Sequence, residues 1–184
     1  ASEHVHHYIA ARKSERDKLL HPTKGVMRPI PISKIPSGQR LLPSSMRFVL
    51  KLNENNDIIK GKARWVAGGH RMRPGVDYDE SHADCPHWTS VRLFFANAAK
   101  LGRTVRTGDI ESAYTQGPPQ RTIYLRAPSG QKEFDPSTNE EIVYECFGNL
   151  YGKKDAGNVW GKHLSDWLTK DQGYTQSTSE PCLY

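Results

Sequence analysis

The chain has 184 residues, 36% of them hydrophobic, with a formal charge of +6 and a mean hydropathy of -0.71. That length suits one domain or two small lobes sharing a thin core, and no apolar run approaches the roughly 20 residues of a membrane-spanning helix. The basic balance, with a pI of about 9.2, points to anionic partners: nucleic acid first, acidic protein or lipid surfaces second. The three cysteines, Cys85, Cys146 and Cys182, form no CxxC pair and cannot all pair with one another. An intracellular reducing compartment (cytoplasm, nucleus or an organelle) is therefore expected over a secreted disulfide scaffold. Ala1 to Arg12 lacks the apolar stretch of a signal peptide, and no initiator Met is present, so the chain reads as processed, trimmed or a fragment.

Residues 1–21 are polar, with His4, His6 and His7 close together, and a weakly amphipathic helix is expected from about Ala10 to Leu20. The histidines read as a frayed tail more readily than as metal ligands. From His21 to Ser45 the chain holds Pro22, Pro29, Pro31, Pro36 and Pro43, which predicts an extended, irregular arm because proline fixes φ and removes ladder donors. Residues 1–45 are accordingly set apart as an N-terminal arm, and residues 46–184 as the folded body.

Met46–Leu52 places Phe48, Leu50 and Leu52 on one face at period two, Asn53 to Asp57 is turn chemistry, and Ile58–Ala67 returns. The pattern is a β-hairpin carrying Lys60, Lys62 and Arg64. Gly68 to Trp88 is a polar loop. A helix then begins near Thr89 or Ser90, with Val91, Phe94, Phe95, Ala98 and Leu101 at helical spacing and Gly102 as its stop. That stripe predicts a core helix, each large member contributing roughly 1.5–3 kcal/mol on burial. Arg103–Ile110 reads as a strand ending on Asp109. Thr122–Arg126 and Ile142–Phe147 read as further strands around a Pro/Ser/Gly-rich excursion at 127–141. A last helix spans about Ala156–Lys170, with Val159, Trp160, Leu164, Trp167 and Leu168 as its buried face. The fold class is α+β, with no internal repeat.

The sharpest motif is Thr107-Gly108-Asp109-Ile110-Glu111-Ser112-Ala113-Tyr114. A carboxylate at a strand end can hold Mg²⁺ against nucleotide phosphates, although an acidic residue there commonly only caps a turn. Its surroundings run in order: Phe48-Val49-Leu50-Lys51, Lys62 to Gly69, Gly75 to Glu80, Thr89 to Arg92, Asp109 to Gly117, Ile123-Tyr124, Leu150 to Ala156 with Trp160, and Pro181-Cys182-Leu183-Tyr184. That series resembles the reverse transcriptase of copia-type retrotransposons over roughly residues 30 to 184.

The resemblance implies a fingers–palm polymerase lobe with an incomplete palm of antiparallel strands packed by two helices. Asp109 matches the first metal-binding aspartate, for Mg if the parent polymerase is active. Ile110 matches the position whose carbonyl helps hold metal, and Tyr114 the sugar gate favouring deoxynucleotides. Lys62 and Arg64 match the finger cations that grip the triphosphate, and Tyr151 and Gly152 the loop against nucleotide and template. The family's Tyr-X-Asp-Asp hairpin, which supplies further carboxylates, has no counterpart in these 184 residues. Two-metal phosphoryl transfer needs more than one carboxylate, so no catalysis is expected of this chain alone.

The chain also departs from the family pattern inside the matched region. Gly68 replaces the usual Lys, and His82-Ala83-Asp84-Cys85 replaces Phe-Ala-Pro-Val. In the template-side loop, Lys153, Asp155, Gly157 and Asn158 stand at positions otherwise Leu, Gln, Pro and Arg.

Other readings compete locally. His82, Asp84, Cys85 and His87, with His70, could ligate metal, but His-x₂-Cys-x-His is not a standard zinc spacing and a polar loop explains it as well. Asp79, Glu80 and Asp84 read as a solvated acidic turn. Trp65, Trp88, Trp160 and Trp167 could stack bases, whereas core packing is the expectation for Trp160 and Trp167, and Trp65 stays open between the two.

Three functions follow. The first is a catalytically incomplete, retroelement-derived domain serving as a structural or binding subunit among other protein subunits. The second is the N-terminal fragment of an active RNA-directed DNA polymerase. The third is a basic module that binds RNA or DNA through its fingers.

Overall fold

The computed structural model describes residues 4–118 and 121–184. Among them, four helices and two sheets form a mixed α/β unit. Helix α1 (Val5–Leu19) opens the chain, starting earlier than its weak amphipathicity suggests. Strands β1 (Met27–Pro31) and β2 (Leu41–Leu42) follow within the proline-rich stretch, then the hairpin β3 (Ser44–Leu52) and β4 (Ile58–Ala67). Next come α2 (Trp88–Lys100), the short α3 (Ala113–Gln116), β5 (Ile123–Leu125), β6 (Ile142–Cys146) and α4 (Ala156–Asp166), which a π-type turn extends through Trp167–Asp171. None of the helices is long and apolar enough to cross a membrane.

The larger sheet has the order β1-β6-β5-β2, and the hairpin is a sheet of its own. β6 pairs antiparallel with both β1 and β5, whereas β2 runs parallel to β5, so the expectation of purely antiparallel strands is corrected at that edge. The arm is likewise not irregular throughout. Pro29 and Pro31 sit in β1, which forms the sheet's edge and so tolerates missing donors.

Pro43 separates β2 from β3, where the chain leaves one sheet for the other. Ser44 fastens this corner: its hydroxyl donates to the Arg126 carbonyl at 2.6 Å and accepts from the Trp65 indole N–H at 2.8 Å. The core gathers on the hairpin side of the sheet. Trp65 and Tyr144 meet edge to face at 4.7 Å, packed with Leu19, Met27, Leu42, Leu125 and Leu150. Trp65, 1% exposed, is therefore a core residue and not a stacking platform.

Helix α1 closes this core from above. Its buried stripe is Ala11, Glu15 and Leu19. A carboxylate in such a stripe needs a donor, and Glu15 accepts the Trp65 backbone N–H at 3.1 Å. Near the other end, a Cβ on Gly61 would stand 2.5 Å from the His7 carbonyl, so only glycine lets the helix lie this close. Tyr8 meets Phe48 edge to face at 5.4 Å, and Arg16 donates to the Tyr144 hydroxyl at 3.1 Å.

Two expectations fail in the middle of the chain. Residues 103–110 pair with no strand among the described residues. α2 buries nothing: Trp88 is 77% exposed, Leu93 69%, and Phe94, Phe95 and Leu101 about half. The apolar stripe is real, but only Val91 and Ala98 of it are half-buried and its large members stay exposed, so helical periodicity overstated its burial. Trp167 also stays exposed; α4 buries Ala156 and Val159 and leaves Trp160 half-buried.

Two outcomes follow from this packing. Glu15→Ala strands the buried Trp65 N–H and is expected to lower stability by about 1–3 kcal/mol in urea denaturation. Burial pushes the Cys146 thiol up to about 11, opposed by the nearby Lys153 ammonium, while Cys85 is exposed and Cys182 partly so. A disulfide reagent at pH 8 is expected to titrate Cys85 first, Cys182 more slowly, and Cys146 only after unfolding.

Candidate functional site

α1, the β3–β4 hairpin and residues 109–114 enclose a cleft of about 800 Å³. Lys62, Arg64, Asp109, Ile110, Tyr114 and Tyr151 all line it, although they come from three separate stretches of sequence. Gly152 lies beside them but does not line the cleft. Its backbone is wedged against β4 instead.

The hairpin explains the cations. Its register pairs Met46 with Trp65, Phe48 with Ala63 and Leu50 with Gly61 on the face that meets α1. The other face pairs Arg47 with Arg64, Val49 with Lys62 and Lys51 with Lys60. Like charges directly opposite one another destabilise a ladder. None of these five cations makes an ion pair among the described residues. Arg64 is held by aromatic contact, its guanidinium 5.1 Å from the centre of the Tyr151 ring.

Tyr151 is placed by backbone. The Ala67 N–H donates to the Tyr151 carbonyl at 2.7 Å. A Cβ on Gly152, whose φ is +85°, would lie 2.3 Å from the Ala67 carbonyl, and one on Gly69 would lie 1.9 Å from the Gly152 carbonyl. Two chain segments thus touch where no side chain fits. The Tyr114 ring then sits 5.3 Å from that of Tyr151. Tyr114 belongs to α3, which begins after Ser112, a residue held at φ +56°.

Asp109 is exposed and stands in the cleft with Glu111 and Glu15. It does not end a paired strand, which corrects the expected placement. Among the described residues no three His, Cys, Asp or Glu side chains are placed to hold a metal ion, so the His82–His87 loop does not assemble a site. His82 instead faces Asp84 at 3.2 Å, and the His87 N–H donates to Glu180. The residues present fit a Mg²⁺ shared between Asp109 and a ligand's phosphates, which is how this ion is commonly bound; they do not fit one caged by protein alone.

Three of the four departures in the template-side loop have local reasons. Lys153 is buried, its ammonium donating to the carbonyls of Arg121 at 3.2 Å and Gly148 at 3.5 Å. Asp155 is buried with both carboxylate oxygens unpartnered. Asn158 donates to the His82 carbonyl at 2.6 Å, and a Cβ on Gly157 would stand 3.0 Å from that of Ala83. Two departures that looked unrelated in sequence therefore meet in space. At Gly68 a Cβ would lie 2.6 Å from the Pro43 carbonyl, so no lysine fits that corner.

Sequence reasoning missed the contribution of α1. His7, Ser14, Glu15 and Lys18 line the cleft, as do Lys51 and Lys60 of the hairpin. The four-residue spacing of Ala11, Glu15 and Leu19, with Gly61 opposite, was the available signal.

With this geometry in place, the comparisons decide the family. The family model described as reverse transcriptase (RNA-dependent DNA polymerase) matches residues 30–184. The chain belongs to the reverse transcriptase family. It is 30% identical over 153 residues to the Retrovirus-related Pol polyprotein from transposon TNT 1-94 of Nicotiana tabacum, covering 82% of this chain and 11% of the relative. It is 29% identical over 149 residues to the corresponding polyprotein from transposon RE1 of Arabidopsis thaliana, covering 81% and 10%. These relatives mark the reverse transcriptase as copia-type, and the chain spans about a tenth of their length. No solved structure matches this reverse transcriptase chain significantly. The matched region excludes α1.

Gly152→Ala forces a Cβ into the Ala67 carbonyl in a left-handed conformation. It is expected to cost about 2 kcal/mol or more in thermal or urea unfolding, with loss of Tyr151 ordering by NMR.

Proposed function

We propose that this chain is the fingers and first palm portion of a copia-type reverse transcriptase and that its cleft binds a Mg²⁺-chelated deoxynucleoside triphosphate against nucleic acid. The observation that carries the reading is the convergence of Lys62, Arg64, Asp109, Ile110, Tyr114 and Tyr151 on one cleft. Lys62 and Arg64 supply charge for phosphate oxygens, and Arg64 arrives pre-oriented by Tyr151. Tyr114 would lie beneath the sugar and exclude a 2′-hydroxyl, and Asp109 with the Ile110 carbonyl would hold the metal. Bound Mg²⁺ supplies charge neutralisation at the phosphates. The basic face of Arg47, Lys51 and Lys60 extends the same charge toward a nucleic-acid backbone.

On this reading the 184 residues grip substrate without completing the chemistry, because one family carboxylate cannot fix two metals about 4 Å apart. A second reading, that the chain serves as a non-catalytic structural or binding subunit, is favoured by α2. Its exposed Trp88, Leu93, Phe94 and Phe95 form a surface suited to further protein.

A labelled poly(rA)/oligo(dT) primer–template tests both parts. The chain is expected to bind it with strong salt dependence. Lys62→Ala with Arg64→Ala should weaken binding about tenfold and flatten the log–log salt slope by roughly two. With Mg²⁺ and dTTP no primer extension is expected; incorporation that disappears in Asp109→Asn would show the site complete. Binding indifferent to salt would remove the nucleic-acid reading.

A further inference from the structure

The segment that carries Asp109 is poorly supported from within. Residues 103–110 pair with no strand among the described residues, and around Gly108 nothing lies within 4 Å of where a Cβ would stand. Ser112 is held in the left-handed region, unfavourable for a residue with a side chain. Downstream, the turn is closed from within: the Thr115 N–H and hydroxyl both donate to the Ser112 carbonyl, and the Gln116 side-chain amide donates to that of Glu111. Something outside the turn must fix where it sits.

That anchor comes from α1. The Lys18 ammonium donates to the Ser112 hydroxyl at 2.8 Å and lies 3.3 Å from the Glu15 carboxylate. Glu15 is itself fixed by the buried Trp65 N–H, and α1 is seated on β4 by the close approach at Gly61. A continuous path of polar contacts therefore runs from the core at Trp65, through Glu15 and Lys18, to the turn between Asp109 and Tyr114. All of these residues except Trp65 line the cleft.

We propose that Lys18 is a positioning residue of the cleft: through Ser112 it holds the Asp109–Tyr114 turn in the place where a metal–triphosphate ligand would need it. α1 lies outside the stretch matched by the reverse transcriptase family model, and on this reading it braces the segment that carries Asp109. The functional side of this role rests on the cleft's being a nucleotide site; the mechanical side does not.

The test uses the full chain with four variants and two readouts. Amide hydrogen exchange is followed at Thr115 and Gly117, whose N–H groups are bonded within the turn, and at Trp65, and affinity is measured for Mg²⁺·dTTP. Lys18→Met should speed exchange at Thr115 and Gly117 about tenfold while Trp65 stays protected, showing the turn released and α1 still docked. The same variant should weaken Mg²⁺·dTTP about five- to tenfold. Ser112→Ala should match it, the double variant should be no worse than Lys18→Met alone, and Lys18→Arg should restore affinity to within about twofold. Unchanged exchange at Thr115 and Gly117 in Lys18→Met would overturn the proposal. So would additive losses in the double variant, which would make Lys18 a direct ligand contact. A wild-type chain that binds no Mg²⁺·dTTP would sink the nucleotide reading instead, and amide exchange alone would still decide the tether.

Discussion

The structure depends on one close contact between two backbones. At Gly69 and Gly152 the end of the hairpin and the loop after β6 approach until no Cβ fits between them, and the Ala67 N–H bonds to the Tyr151 carbonyl at 2.7 Å. Without this contact the hairpin would be joined to the larger sheet mainly through the Ser44 corner and the Trp65–Tyr144 pair. With it, Tyr151 is placed against Tyr114 on one side and under Arg64 on the other. The cleft is therefore built from the backbone outward. Its cation is oriented by a ring, and the ring is oriented by a glycine contact.

Around this junction the chain uses polar side chains as structural members. Glu15 and Lys153 are buried and hydrogen-bonded, the first to a strand amide and the second to two carbonyls. This fits a composition too polar for a thick core: helices and loops are seated by satisfied polar contacts where apolar area is scarce. Asp155 is the exception, buried with neither oxygen partnered, and the described contacts give no physical account of it.

Much of the candidate site was legible in the sequence through motif order. Lys62, Arg64, Asp109, Ile110, Tyr114 and Tyr151 were singled out by the family resemblance, and they do line one cleft. The hairpin was legible for a different reason, since alternation and turn residues are local signals. What failed was tertiary. The stripe on α2 promised burial, yet periodicity reports an apolar face and says nothing of what covers it. Arg103–Ile110 has strand-like composition and finds no partner strand among the described residues. Proline density at 21–45 hid β1, because an edge strand needs donors on one side only. α1 was underrated because its buried stripe contains a glutamate, and no hydrophobic pattern registers a carboxylate that faces a backbone amide.

The two faces of the hairpin carry a thermodynamic consequence. One is seated on α1 and the core. The other sets Arg47 opposite Arg64 and Lys51 opposite Lys60, none of them in an ion pair among the described residues. Folding this element alone therefore does electrostatic work, and any anion that gathers on that face returns it. Ligand binding and hairpin stability are then two readings of one linked equilibrium. Polyanions should raise the unfolding temperature of the chain more than they tighten any single contact, and simple salt should mimic part of that effect by screening alone.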